Sequence, residues 1–161
     1  MRLSRFRLPA AVLLLAACWL NCAQALPSQA RVHRVVDGDT IELADGRLVR
    51  YIGIDTPEVR RKIAGRWVVE PEPFALAAMQ ENQRLVDGKT LRLEFDVQTH
   101  DRYGRLLAYV YVGDQMVNEA LLREGMAQLL TIPPDVKYVE RFRAAASEAR
   151  AAHRGLWQTP E

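Results

Sequence analysis

The sequence predicts an α+β domain, a five-stranded β-barrel with three helices packed on it. Three observations carry that reading. Short strand-like runs recur with turn signals between them, an Asp45-Gly46 hairpin opens the domain, and helical stripes are confined to one insertion after the third strand and to the C-terminal end. Strands and helices in that order suit a small barrel of the OB type. The chain has 161 residues, of which 49% are apolar and 26% charged, which is enough for one domain with its own core.

Residues 31–36 read as the first strand, ending at Asp37-Gly38. Residues 39–43 and 47–54 are the second and third, joined at Ala44-Asp45-Gly46, since Asp-Gly favours a tight hairpin. Pro57 stops regular structure because it has no ladder donor and holds Thr56 extended. Residues 59–73 have a basic half (Arg60, Arg61, Lys62, Arg66) and an acidic half punctuated by Pro71 and Pro73, and they are assigned no structure. Residues 74–86 form a helix with Phe74, Ala78 and Leu85 on one side and Pro73 by its first turn.

Residues 90–97 alternate Leu91, Leu93, Phe95 and Val97 with Arg92, Glu94 and Asp96, the pattern of a half-buried strand. A polar loop over 98–104 leads to the fifth strand, 105–112. Asn118 is placed as the cap of a short helix that presents Leu121, Leu122 and Met126 to the core and closes at Gly125. After a loop with Pro133-Pro134, a last helix over 136–152 puts Val139, Phe142, Ala146 and Ala149 on one stripe. Trp67 and Trp157 are read as packing residues.

The domain itself is expected over residues 26–161. Residues 1–25 have a basic start (Arg2, Arg5, Arg7), an apolar run to Leu20 too short to span a bilayer, and Ala23-Gln24-Ala25 as a cleavage point, which is the pattern of a signal peptide. The alternative is a lipid-modified Cys18 behind Leu15-Ala16-Ala17. Both readings export the chain to the periplasm, cell envelope or medium. Both cysteines, Cys18 and Cys22, lie in this leader, so the domain is held by its core without a disulfide. The leader also takes three of the 22 basic residues and no acid, leaving 19 against 20. The formal charge of +2 thus becomes −1, and any affinity for nucleic acid must come from local basic groups.

The chemistry is concentrated around the first hairpin. Asp37, Asp39, Asp55 and Glu58 sit near neighbouring strand ends, and crowded carboxylates repel unless a cation neutralises them. Oxygen anions suit a hard dication: Ca²⁺, completed by the Thr56 carbonyl and water, or Mg²⁺. Arg50 lies five positions before Asp55, which on a regular strand would put the two on opposite faces, so the strand must break, and Gly53 is the expected break. Arg105, behind the Asp101-Arg102-Tyr103-Gly104 turn, is expected at the same mouth. Two guanidiniums can grip a phosphate and stabilise a pentacovalent transition state. Glu58 is a candidate general base, or an orienter of the attacking water. His33, His100 and His153 are scattered and suggest no histidine metal site.

Several ordered motifs make a resemblance specific: Val36-Asp37-Gly38-Asp39-Thr40, then Arg50 through Ile54-Asp55-Thr56-Pro57-Glu58, then Asp101-Arg102-Tyr103-Gly104-Arg105 with Ala108-Tyr109, Val117-Asn118-Glu119-Ala120-Leu121, and Leu156-Trp157. Across residues 31–157 the chain resembles the thermonucleases, the staphylococcal-nuclease-like family. The resemblance implies an OB-fold barrel with three helices and Ca²⁺-dependent hydrolysis of DNA and RNA at the 5′ P–O bond, leaving 3′-phosphate ends. It implies that Asp39, Asp55 and the Thr56 carbonyl hold the ion, that Arg50 and Arg105 clamp the phosphate, and that Glu58 is the base. Arg102 and Tyr103 are the expected substrate contacts, and the protein is expected to be a monomer. The chain departs from the family's pattern over 129–134, where Leu-Leu-Thr-Ile-Pro-Pro stands in place of nucleotide-contacting tyrosines. A catalytically silent OB-type nucleic-acid-binding module is the alternative function, and an oligosaccharide- or protein-binding barrel is a third. Against the silent module stands the occupation of every carried-over catalytic position, and the third reading gives no reason for two arginines beside the acids.

Overall fold

The computed structural model describes residues 25–158. Strands β1 (Gln29–Asp37), β2 (Thr40–Leu43) and β3 (Leu48–Tyr51) form an antiparallel meander, followed by β4 (Ile54–Asp55). A hairpin of β5 (Arg60–Ile63) and β6 (Arg66–Val69) precedes helix α1 (Ala75–Val86). Then come β7 (Thr90–Glu94), β8 (Leu106–Val112), β9 (Gln115–Met116), α2 (Val117–Arg123), β10 (Gln128–Leu129), α3 (Val139–Ala151) and a 3₁₀ turn, Gly155–Trp157. The leader expected over 1–25, with Cys18 and Cys22, lies outside the described residues except for Ala25. No described helix is long and apolar enough to cross a membrane.

The barrel closes through a parallel pairing. The ladder β3-β2-β1-β7-β8 is otherwise antiparallel, and β3 returns to β8 in the register Val49↔Leu106, Arg50↔Leu107, Tyr51↔Ala108. Five strands therefore form a closed barrel with three helices, the α+β OB-type architecture that the strand order predicts. β1 spans both halves, pairing with β7 near Gln29–Arg31 and with β2 beyond Val32, and its two register shifts bend it between the two partners. The core is filled by side chains such as Ile41, Leu43, Val49, Tyr51, Leu91, Leu106 and Leu121, all nearly sealed from water.

Several elements differ from the sequence reading. The third strand stops at Tyr51 instead of running to residue 54, and Ile54–Asp55 leaves the barrel ladder to pair with β10. The break is at Gly53, whose φ is +82° and where a Cβ would come within 2.4 Å of the Phe142 ring. Phe142 itself is fixed by edge contact with Tyr109, 5.9 Å between centroids. Helix α3 thus buttresses the turn that ends β3. The fourth strand ends at Glu94, and Val97 is exposed because the alternation continues after the ladder has stopped.

Residues 59–73 contain a β-hairpin where no structure was expected, and Trp67 on it is 68% exposed, not packed. Phe74 does not face the core either; it is the left-handed N-cap residue of α1 and is exposed. Asn118 does not cap α2. It lies inside the helix, fully buried, where its side chain accepts from the Val110 N–H (2.9 Å) and donates to the Ile52 carbonyl (2.8 Å). The amide satisfies backbone groups that β8 and the end of β3 leave without ladder partners. Replacing Asn118 by Ala is expected to lower stability by about 2–4 kcal/mol, since two buried backbone groups lose their partner. Urea unfolding measures it, and a loss below about 1 kcal/mol would mean that water replaces the amide.

Candidate active site

The site grows from one turn and one strand end. Asp37-Gly38-Asp39 links β1 to β2, and it presses against the segment after β4: a Cβ on Gly38 would lie 2.6 Å from Thr56 Oγ1. That close approach lets Asp39, 5% exposed, meet Thr56, whose N–H (2.9 Å) and hydroxyl (3.0 Å) both donate to Asp39 Oδ2. Thr40 Oγ1 donates to the other oxygen at 3.0 Å. Helix α1 holds the same turn through Asn82, which donates to the Asp37 carbonyl (3.1 Å) and accepts from the Tyr51 hydroxyl (2.9 Å).

Arg50 stands at the centre. Its Nη1 reaches Asp39 Oδ2 at 2.8 Å and its Nη2 reaches Asp55 Oδ1 at 2.7 Å, while Nη1 also donates to the carbonyls of Ile54 (2.9 Å) and Tyr51 (3.2 Å). Those last two bonds are available only because β3 turns at Gly53 and brings Ile54 back past the arginine. The Arg50 Nε–H has no partner among the described residues, and the side chain lines a groove of about 530 Å³.

Arg105 lines the same groove. Asp101 anchors it by one edge, accepting from its Nε at 2.6 Å and from its N–H at 3.0 Å, so both terminal amino groups are left without partners among the described residues. Burial raises the Asp101 carboxyl, but the bonds from Arg105 and Tyr103 outweigh it and hold the group below its ordinary value. Tyr103 is exposed at the rim, with Arg102 donating to its hydroxyl at 2.6 Å and stacked over its ring at 4.8 Å. In the segment 129–134, Leu130 and Ile132 add aliphatic side chains to the lining of the groove.

The acids outnumber the cations. Burial, the largest influence, lifts the Asp39 carboxyl above its ordinary value against the pull of Arg50, Thr56 and Thr40. Glu58 is pushed up to about 7, first by burial of its carboxyl, then by a hydrogen bond shared with Asp37 and by the charges of Asp37 and Asp39, with Arg50 opposing. Water at the exposed edge of the residue screens part of this push. A dication fits that donor set, because one guanidinium serves carboxylates that repel one another on all sides. Among the described residues no three His, Cys, Asp or Glu side chains form a ready cage, so an ion here would take Asp39, Asp55, the Thr56 carbonyl and water.

Residues 48–159 match the family described as Staphylococcal nuclease homologue. The chain belongs to the staphylococcal nuclease family. Among its relatives, the thermonuclease of Staphylococcus hyicus is 39% identical over 134 residues, covering 79% of this chain and 74% of that protein. Two Bacillus subtilis (strain 168) proteins, the SPbeta prophage-derived endonuclease YokF and endonuclease YncB, are 40% and 39% identical over 131 residues each. The match covers 78% of this chain in both cases, but 43% of YokF and 60% of YncB.

Two residues that position the site lay outside the sequence reading. Asn82 ties α1 to the Asp37 turn, and its signal was a polar residue on the apolar face that Ala75, Ala78 and Leu85 share. Asp101, read only as part of a turn, anchors Arg105. The Glu58 environment has a measurable consequence in the ion-free protein. The folded pKa lies above the ordinary 4.5, so the folded chain holds a proton that the unfolded chain has released. The stability of wild type relative to Glu58→Gln should therefore be level below about pH 4.5 and fall as pH rises through about 7. Thermal melts in chelator across that range read it, and a difference that is flat with pH would show that burial and the neighbouring acids do not raise the Glu58 carboxyl.

Proposed function

We propose that this protein is an exported, Ca²⁺-dependent nuclease that hydrolyses phosphodiester bonds of both DNA and RNA. The observation that carries the reading is the convergence on one groove of two guanidiniums with unused donors, Arg50 and Arg105, the first bridging two carboxylates. Relatives named thermonuclease and endonuclease support it. Asp39, Asp55 and the Thr56 carbonyl would hold the ion, which supplies charge to offset the phosphate and the crowded acids. Arg50 offers Nε–H and Arg105 its two amino groups to the non-bridging phosphate oxygens, where negative charge grows as water adds to phosphorus. Glu58 takes the proton of that water as the bond to the 5′ oxygen breaks, and the departing oxygen takes a proton from solvent, leaving a 3′-phosphate and a 5′-hydroxyl. Arg102 and Tyr103 contact the substrate at the rim.

The nucleophile is water, so no 2′-hydroxyl is needed, which supports action on both sugars. Export rests on the basic, apolar and small-residue pattern of residues 1–25. The test is degradation of single- and double-stranded DNA and of RNA, with calcium and with excess chelator. Cleavage is expected to require calcium, and Arg105→Ala is expected to lower the rate about 10²–10³-fold while the domain stays folded, with only a small drop in the thermal melt from the lost Asp101 pair. Cleavage that persists in chelator overturns the calcium requirement. Binding without cleavage in calcium would instead favour a silent binding module.

A further inference from the structure

The β5–β6 hairpin leaves the barrel from a fixed root. Glu72 N–H donates to the Glu58 carbonyl at 3.0 Å, Glu58 N–H donates to Glu72 Oε2 at 3.1 Å, and Val59 is buried between them. Beyond that root every residue from Arg60 to Phe74 is exposed. Strands of four residues give the arm a reach of roughly 13 Å. A two-stranded ribbon with neither face covered is at best marginally stable, so its apolar residues gain little from folding alone.

The register sorts the side chains. Directly opposed residues share a face in an antiparallel pair, so Arg60/Val69 and Lys62/Trp67 lie on one side and Arg61/Val68 and Ile63/Arg66 on the other. Trp67 and Val69 are 68% and 70% exposed. Residues 60–69 carry four cations (Arg60, Arg61, Lys62, Arg66) and no acid. Among the described residues their one ion pair is a loose contact of 3.9 Å from Arg61 to Glu70, both half exposed. An open indole beside a cation, on a ribbon with net positive charge, is chemistry for a polyanion with flat rings. Single-stranded nucleic acid presents both, with bases free to stack and phosphates to pair.

We propose that this hairpin is an arm that grips single-stranded nucleic acid outside the groove, with Trp67 stacking on a base and Arg60, Lys62 and Arg66 meeting phosphates. The proposal rests on the nuclease reading for the identity of its substrate. Its root is Glu58, which feels the charge of Arg50 in the groove wall, so the arm starts beside the groove. The arm adds affinity for long substrates without touching the reacting atoms.

The full chain is titrated with oligothymidylate in chelator, where no cleavage occurs, and tryptophan fluorescence is followed. Wild type should be quenched on binding. Trp67→Ala should lose that quench and bind roughly 5- to 100-fold more weakly. The Lys62→Ala, Arg66→Ala double variant should keep the quench and show a salt dependence shallower by about 0.7 for each phosphate contact removed. In calcium, Trp67→Ala should raise KM on long single-stranded DNA with no comparable rise on a dinucleotide, which is too short to leave the groove. Trp67→Ala that binds and quenches as wild type does would overturn the arm even if the protein is a nuclease. A Trp67-dependent dimer in sedimentation, with oligonucleotide binding unchanged, would also overturn it. If wild type cleaves nothing but the Trp67-dependent quench holds, the arm stands and the nuclease reading falls.

Discussion

One guanidinium shared by two carboxylates organises this molecule. Arg50 sits between Asp39 and Asp55, which belong to separate segments on either side of the barrel's last β3 residue; Asp39 is buried and depends on that charge, while Asp55 is more than half exposed and reaches Arg50 from the solvent side. A buried carboxylate without a partner is costly, and the pair is worth keeping only when every remaining lone pair is bonded. Thr40 and Thr56 go most of the way at Asp39, and the Ile54 and Tyr51 carbonyls do so at Arg50, whose Nε–H, without a partner among the described residues, stays open toward the groove. The surrounding fold can be understood as the apparatus that makes this geometry possible. Gly53 turns the chain, Phe142 holds the turn, Asn118 ties Ile52 to β8, and Asn82 ties the Asp37 turn to α1.

The barrel was legible because its signals are local. The Asp45-Gly46 hairpin, the alternation around Leu91 and Leu93, and the stripe of α3 each depend on residues a few positions apart, and each became the element expected. What failed depended on distant partners. The run over residues 47–54 looks like one strand, but Leu129 and Gln128 draw its end into a second pairing. Asn118 has the composition of a cap, yet two backbone groups from other strands claim its amide. The β5–β6 ribbon has no periodic apolar face because it covers nothing, so the rule that finds buried strands passes over it.

The site shows the same division. The carboxylates and arginines stood out by type and spacing, and the odd separation of Arg50 and Asp55 required a break that Gly53 supplies. Positioning residues were harder to see, because Asn82 and Asp101 act through hydrogen bonds to groups far away in sequence or to a neighbour's backbone. The unequal anchoring of the two arginines was also hidden. Arg50 is woven into the fold by four acceptors, while Arg105 is held along one edge by a single aspartate. Substitution of the first therefore disturbs structure and chemistry together, whereas the second can be changed with the scaffold intact.

The central claim is that Arg50 and the buried Asp39 stabilise each other as a unit. A double-mutant cycle of Arg50→Ala and Asp39→Ala, read by urea unfolding of the chelated protein, tests it most directly. The account predicts a coupling of at least about 2 kcal/mol, with the double variant less destabilised than the sum of the singles. Additive losses, equal within about 0.5 kcal/mol, would contradict it.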